Sequence, residues 1–121
     1  SRLPAYCASM GRVLLAARPE KEQRALLALL PREKRTSRTL VEEADLLAEL
    51  SRIGERGFAM IDQELEPGLR SIAVPLLDGA GLVVGAINIG AQAERVSLET
   101  MRETFLPKML RIQAELRRLL V

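Results

Sequence analysis

The chain of 121 residues has no histidine, no tryptophan, a single cysteine and only three aromatic side chains, Tyr6, Phe58 and Phe105. Without histidine there is no imidazole to serve as a general base near neutral pH, and no His-based metal site. The lone Cys7 excludes an internal disulfide and fits a reducing compartment, taken here as the cytoplasm; with no histidine beside it, no structural zinc set can be assembled. So few aromatics give no stacking platform for single-stranded nucleic acid. The formal net charge is only +2, and arginines interleave with glutamates instead of forming a basic stripe. Direct DNA contact by these residues is therefore not expected. The longest uncharged stretches are interrupted by Pro75, Asp78 and glycines, so no membrane span is read. Arg2 is followed by Pro4, Tyr6 and a charged amphipathic stretch, which is not a signal peptide.

What is present is apolar: 48% of residues are hydrophobic, enough for one globular domain with a core of its own. Met10, Val13, Leu14 and Ala17 have the spacing of a helix with one buried side, beginning near Ser9. Pro19 opens a second helix with Leu26, Leu27 and Leu30 inward, and Pro31 stops it. Arg32, Lys34, Arg35 and Arg38 then fall in a loop, read as solvated and not as a phosphate site. A third helix from about Glu42 to Arg56 carries Leu46, Leu47, Leu50 and Ile53, with Gly57 at its C-terminal end. A short strand is expected over Phe58–Ile61. Ser97 caps a last helix whose stripe runs through Leu98, Met101, Phe105, Met109, Ile112, Leu116 and Leu119, and Pro107 should kink or split it.

Ser71 to Ala93 carries one charged residue, Asp78, and reads as two strands joined by the turn Asp78-Gly79-Ala80-Gly81. Closing the hairpin there sets Leu77 opposite Leu82, Ala73 opposite Ala86 and Ser71 opposite Asn88. One face then shows Ile72, Val74, Leu76, Val83 and Ile87, a core face. The other shows Ser71, Ala73, Val84, Ala86, Asn88 and Gly90. These residues are small and uncharged, with a hydroxyl and an amide side by side. Two readings fit them: the floor of a ligand pocket, or plain packing beneath Ala-rich helices. Three strands make a poor sheet for four helices, and the chain opens extended at Ser1-Arg2-Leu3-Pro4. Upstream residues, strands included, are therefore expected to belong to the native protein.

Cys7 precedes a helix, where a thiolate is favoured, but with no base at hand it is read as a small residue facing a pocket. Ala8, Ser9, Met10 and Gly11 supply free amides at that helix start, suited to a carboxylate. Gly11 either opens the approach for a ligand or permits close packing. Asp62, Glu64 and Glu66 are spaced by two, so an extended chain points them one way. They suit acid–base chemistry or a divalent cation, but no second acidic cluster completes a metal shell. Arg70 beside them neutralises one of them, from the face opposite Ser71 and Asn88.

Leu3-Pro4-Ala5-Tyr6-Cys7-Ala8-Ser9-Met10-Gly11-Arg12-Val13-Leu14-Leu15-Ala16 closely resembles a signature of the IclR family of bacterial transcription regulators. Gly57-Phe58 through Asp62, Glu64, Gly68-Leu69 and Ile72-Ala73-Val74-Pro75 looks like a second block of that family, and Ala86-Ile87-Asn88-Ile89-Gly90 like a third. The resemblance implies an α/β (α+β) fold with an antiparallel, GAF-like sheet. It also implies that residues 1–121 are the C-terminal part of an effector-binding domain, lacking its first helix and strands and the DNA-binding winged helix-turn-helix. Family members bind small organic acids over the sheet and associate as dimers or tetramers. The opening block is most like regulators of aromatic-acid catabolism, the protocatechuate and β-ketoadipate branch. Ile61 and Gln63 stand where acidic residues are frequent, and Gly90 where serine is frequent. Carried over residue by residue, Cys7, Ala8, Ser9, Met10 and Gly11 form one side of the site. Asp62 and Glu64 border it, Leu69 adds apolar contact, and Ser71, Asn88 and Gly90 lie on its sheet face. The expected function is sensing of an aromatic or dicarboxylic acid, without catalysis, cofactor or metal, DNA being reached only through the missing domain. The rival reading is a GAF-like oligomerisation module with no effector, motivated by the stripe through Leu116 and Leu119. An enzyme using Cys7 or the Asp62/Glu64 acids is the least favoured.

Overall fold

In the computed structural model, which describes residues 4–120, three helices precede a three-stranded antiparallel sheet and two helical segments follow it. Helices α1 (Ser9–Ala16), α2 (Glu20–Leu29) and α3 (Glu43–Arg56) lead into β1 (Ala59–Asp62), β2 (Leu69–Leu77) and β3 (Val83–Gln92). A turn, α4 (Leu98–Thr100), continues through one wide π turn (Met101–Phe105) into α5 (Leu106–Leu119). The sheet order is β1-β2-β3. This is the mixed class that the resemblance implies. The extended start expected over residues 1–3 lies outside the described residues.

The punctuation of the chain has direct causes. Gly57 ends α3 at φ +84°, where a side chain would be strained, and its amide donates to Ile53 O at 2.8 Å. Ser97 Oγ accepts from the Thr100 amide at 3.0 Å, the expected cap. The last helix is interrupted by that π turn just ahead of Pro107. The proline sits in the first turn of α5, and the wide turn before it absorbs the missing donor. That turn also resets the helical phase. Met101 and Met109 are buried, but Gln113, not Ile112, then faces the sheet and donates to Pro75 O at 2.7 Å. Ile112 and Leu119 are left exposed.

Two cores lie on the two faces of the sheet. Ile72 and Val74 pack with Met101 and Met109 under α5. Ala59 and Ala73 pack with Tyr6, Val13, Leu50 and Ile53 under α1 and α3. On α1 the buried side is Ser9, Arg12, Val13 and Leu15, whereas Leu14 and Ala17 of the expected stripe are exposed. The stripe is rotated because a charged residue, Arg12, belongs to it.

The hairpin closes where expected, with Asp78 Oδ1 accepting from the amides of Ala80 and Leu82 and Gly81 at φ +86°. Its register differs. Leu77 pairs with Val83, and a bulge at Leu76/Leu77 displaces the rest, so Ser71 lies opposite Gly90 and Ala73 opposite Asn88. A two-residue displacement keeps each side chain on its face. Beyond the bulge the faces exchange: Val83 joins Val13, Ile53 and Pro75 on the α1 side, and Val84 is exposed.

Candidate functional site

The small-residue face has two fates along its length. Under α1 and α3, Ala73 is fully buried and Ala86 half-buried against the same core, so there the packing reading holds. Toward the other end the helices no longer cover it, and a cavity of about 240 Å³ opens. Ser71, Asn88 and Gly90 line its sheet side, Cys7, Ala8, Ser9 and Met10 its helical side, and Ile61, Leu65, Glu66 and Leu69 the third. The strand Ile61↔Ser71↔Gly90 forms one rung of that floor, because paired residues share a face.

Among the described residues, the helical wall is a set of donors without an acceptor of their own. Ala8 is the extended residue before α1 and no side chain caps the helix. Its first bond runs from Arg12 N to Ala8 O at 3.0 Å, so the amides of Ser9, Met10 and Gly11 have no helical partner. Among the described residues no Lys or Arg lines the cavity, and Glu66 is the one charged residue that does. Positive potential there comes from the helix end. The Cys7 thiol is fully buried, and burial, partly countered by the charges of Arg35 and Arg12, pushes its pKa up. It is a thiol near neutral pH, which suits a cavity wall and not a nucleophile.

Gly11, Asp62 and Glu64 do not line the cavity. A Cβ on Gly11 would stand 2.4 Å from Ala5 Cα, so this glycine serves close packing of the turn that precedes α1. Asp62 pairs with Arg70 across the strands, which sets it on the α5 face, away from the floor. Arg70 Nε donates to its Oδ1 and Arg38 Nη1 to its Oδ2, both at 2.6 Å. The acids do not point one way because the chain is not extended: Gln63 adopts φ +60°. Glu64 turns inward and meets Arg12, whose Nη1 and Nη2 donate to Oε2 and Oε1 at 2.9 and 2.6 Å. The Leu40 amide donates to the same Oε1 at 2.9 Å. Glu66 is left to the cavity, with Ile61 and Leu65. The sequence offers Glu66 only as one of three loop acids, Ile61 only as a departure from the family pattern and Leu65 not at all, although Ile61 lies two residues after Ala59 in β1 and faces the same way.

Asp62 has a consequence for acid stability. Partial burial pushes its carboxyl up, but hydrogen bonds from Arg70 and Gln63 and the charges of Arg70 and Arg38 outweigh this and hold it below the ordinary value. A depressed folded value means that Asp62 contributes stability in full above the unfolded value near 3.8, and loses it as the pH falls through the lower folded value. Asp62→Asn should therefore narrow the difference between urea midpoints measured at about pH 5 and about pH 3. An unchanged difference would show that other carboxylates carry the acid sensitivity.

Among the described residues no helix is long and apolar enough to cross a membrane, and no three acidic or cysteine side chains are grouped to hold a metal ion. Residues 1–116 match the family model for the C-terminal region of the bacterial transcriptional regulator IclR. The Pca regulon regulatory protein of Pseudomonas putida is 44% identical over 115 residues, which are 95% of this chain and 40% of that protein. The inducer-binding domain of PobR from Acinetobacter, solved as a double mutant with 3-hydroxybenzoic acid, superposes with a TM-score of 0.94 at 30% identity, covering 97% of this chain and 69% of that one. The C-terminal domain of the Escherichia coli transcriptional regulator KdgR gives 0.80 at 34% identity, over 93% and 67% of the two chains. These relatives are regulators rather than enzymes. The chain spans about two fifths of the length of the curated relatives it matches.

Proposed function

We propose that this chain, which belongs to the IclR family of bacterial transcriptional regulators, senses a small organic acid in the cavity between α1 and the sheet. The observation that carries the reading is the pairing of an uncapped helix start with Ser71 and Asn88 across a small, mostly apolar cavity. A carboxylate accepts from the free amides at the helix end; the apolar wall takes a ring or short aliphatic body; the hydroxyl and amide of the sheet side meet its polar far end. The aromatic-acid relatives support an aromatic or dicarboxylic ligand. Ligand binding shifts the populations of two arrangements, and DNA-binding domains encoded outside residues 1–121 read that shift. In this reading the protein is cytoplasmic, uses no cofactor, works as a homodimer or homotetramer, and the strands expected upstream complete the sheet.

A thermal-shift screen against benzoate, hydroxybenzoates and adipate tests the proposal. Ligand at a hundredfold excess over its dissociation constant adds about 2.7 kcal/mol, a rise of several degrees for a domain of this size. Asn88→Leu should abolish the rise without lowering the ligand-free Tm, since Asn88 is exposed to the cavity side. A flat response across the panel favours the second reading, an oligomerisation module. Exposed Leu110, Ile112 and Leu119 on α5 are the observation that favours it.

A further inference from the structure

Arg12 and Glu64 stand outside the cavity, yet they join two of its walls. Arg12 lies in the first turns of α1, three residues beyond Ser9, and is wholly buried. Its Nε also donates to Tyr6 O at 2.8 Å, the carbonyl that leads into Cys7. Glu64 immediately precedes Leu65 and Glu66 in the β1–β2 connection. That connection is itself anchored: Thr39 Oγ1 donates to Glu64 O at 2.7 Å and Thr36 Oγ1 to Gln63 O at 2.6 Å. The helical wall and the connecting wall are thus held together by one buried, two-point pair. A guanidinium–carboxylate fork fixes angle as well as distance, which a single point contact does not.

We propose that Arg12 and Glu64 are positioning residues of the cavity: their pair sets the spacing of its two walls, and that spacing sets how tightly a carboxylate is held. The second half rests on the sensing function proposed above; the first half does not. Arg12→Lys keeps the charge and loses the fork, whereas Glu64→Gln keeps the shape and loses the charge. Met109→Ala, in the separate core on the other face of the sheet, is the control for lost stability. All are made in the full-length protein and compared at equal global stability set with urea.

The first readout needs no ligand. Iodoacetamide labelling of Cys7, followed by peptide mass, should be about tenfold faster in both pair variants than in Met109→Ala. Equal rates in the three variants overturn the inference, because a merely structural pair opens Cys7 only through unfolding. The second is calorimetric affinity for benzoate and 3-hydroxybenzoate, expected about tenfold weaker in the pair variants than in the control. Equal affinities overturn the link from spacing to binding. A native protein that binds neither acid overturns the proposed function and the affinity half together, and the wall spacing then stands or falls on the labelling alone.

Discussion

Glu64→Ala should lower the unfolding free energy by about 3–5 kcal/mol, the effect of leaving a buried charge without its partner. Arg12 has no solvent to turn to, since its relative exposure is 0%. Removing the carboxylate deprives it of both short bonds and deprives the Leu40 amide of its acceptor. Glu49 Oε2, 3.7 Å from Arg12 Nη1, offers weak compensation and argues for the lower part of that range. The Thr39 bond ends on the Glu64 carbonyl and survives. Urea unfolding measures the loss directly, and Tm should fall by roughly 10–20 °C. A loss below about 1 kcal/mol would show that Glu49 and water replace the pair. The double substitution Arg12→Met with Glu64→Leu should be far less damaging than either residue removed alone, because no charge then stays buried. The asymmetry separates the net contribution of the pair from the penalty of breaking it.

That pair also marks where the sequence stopped being legible. Short-range signals were readable because their causes are short-range: Asp78-Gly79 for the hairpin, Gly57 for the end of α3, Ser97 for the start of α4. Arg12 and Glu64 are separated by 52 positions, and nothing local announces that they meet. One signal was present. Ser9, Arg12, Val13 and Ala16 recur at helical spacing, which places Arg12 on the inner side if Val13 is inside. With Leu14 inside instead, the helix would be rotated and Arg12 would face solvent. The small-residue face was similarly ambiguous for a physical reason: alanine and serine serve equally beneath a close helix and around an empty space. Only the extent of α1 and α3 over the strands divides Ala59 and Ala73, which are covered, from Ser71 and Asn88, which are not. The bulge at Leu76/Leu77 altered the register without disturbing those faces, so the floor of the cavity was readable although the rungs were misaligned. The β1–β2 register, a long-range feature, is what puts Asp62 beside Arg70 on the far face.

Gly11→Ala and Gly54→Ala should move stability in opposite directions, although both glycines lie within helices. Helix propensity alone favours alanine at each by about 1 kcal/mol. At Gly54 a Cβ meets nothing within 4 Å, so the substitution should stabilise by about 0.5–1 kcal/mol. At Gly11 the Cβ would stand 2.4 Å from Ala5 Cα, 2.7 Å from its O and 2.9 Å from its C. These are backbone atoms, which cannot rotate away as a side chain would. The turn through Pro4–Cys7 must move, and it carries the Tyr6 carbonyl that holds Arg12 and the Tyr6 hydroxyl that donates to Glu33 O at 2.6 Å. The expected result is a net loss of about 2 kcal/mol or more, since overpacking outweighs propensity. Paired denaturant curves decide it. Stabilisation of both variants would mean that the chain ahead of α1 yields freely and that Gly11 is not there for close packing. Destabilisation confined to Gly11→Ala would tie the helical wall of the cavity to the turn that precedes it, and any loss of carboxylate affinity in that variant would then follow from displaced Cys7 and Ala8 rather than from a blocked approach.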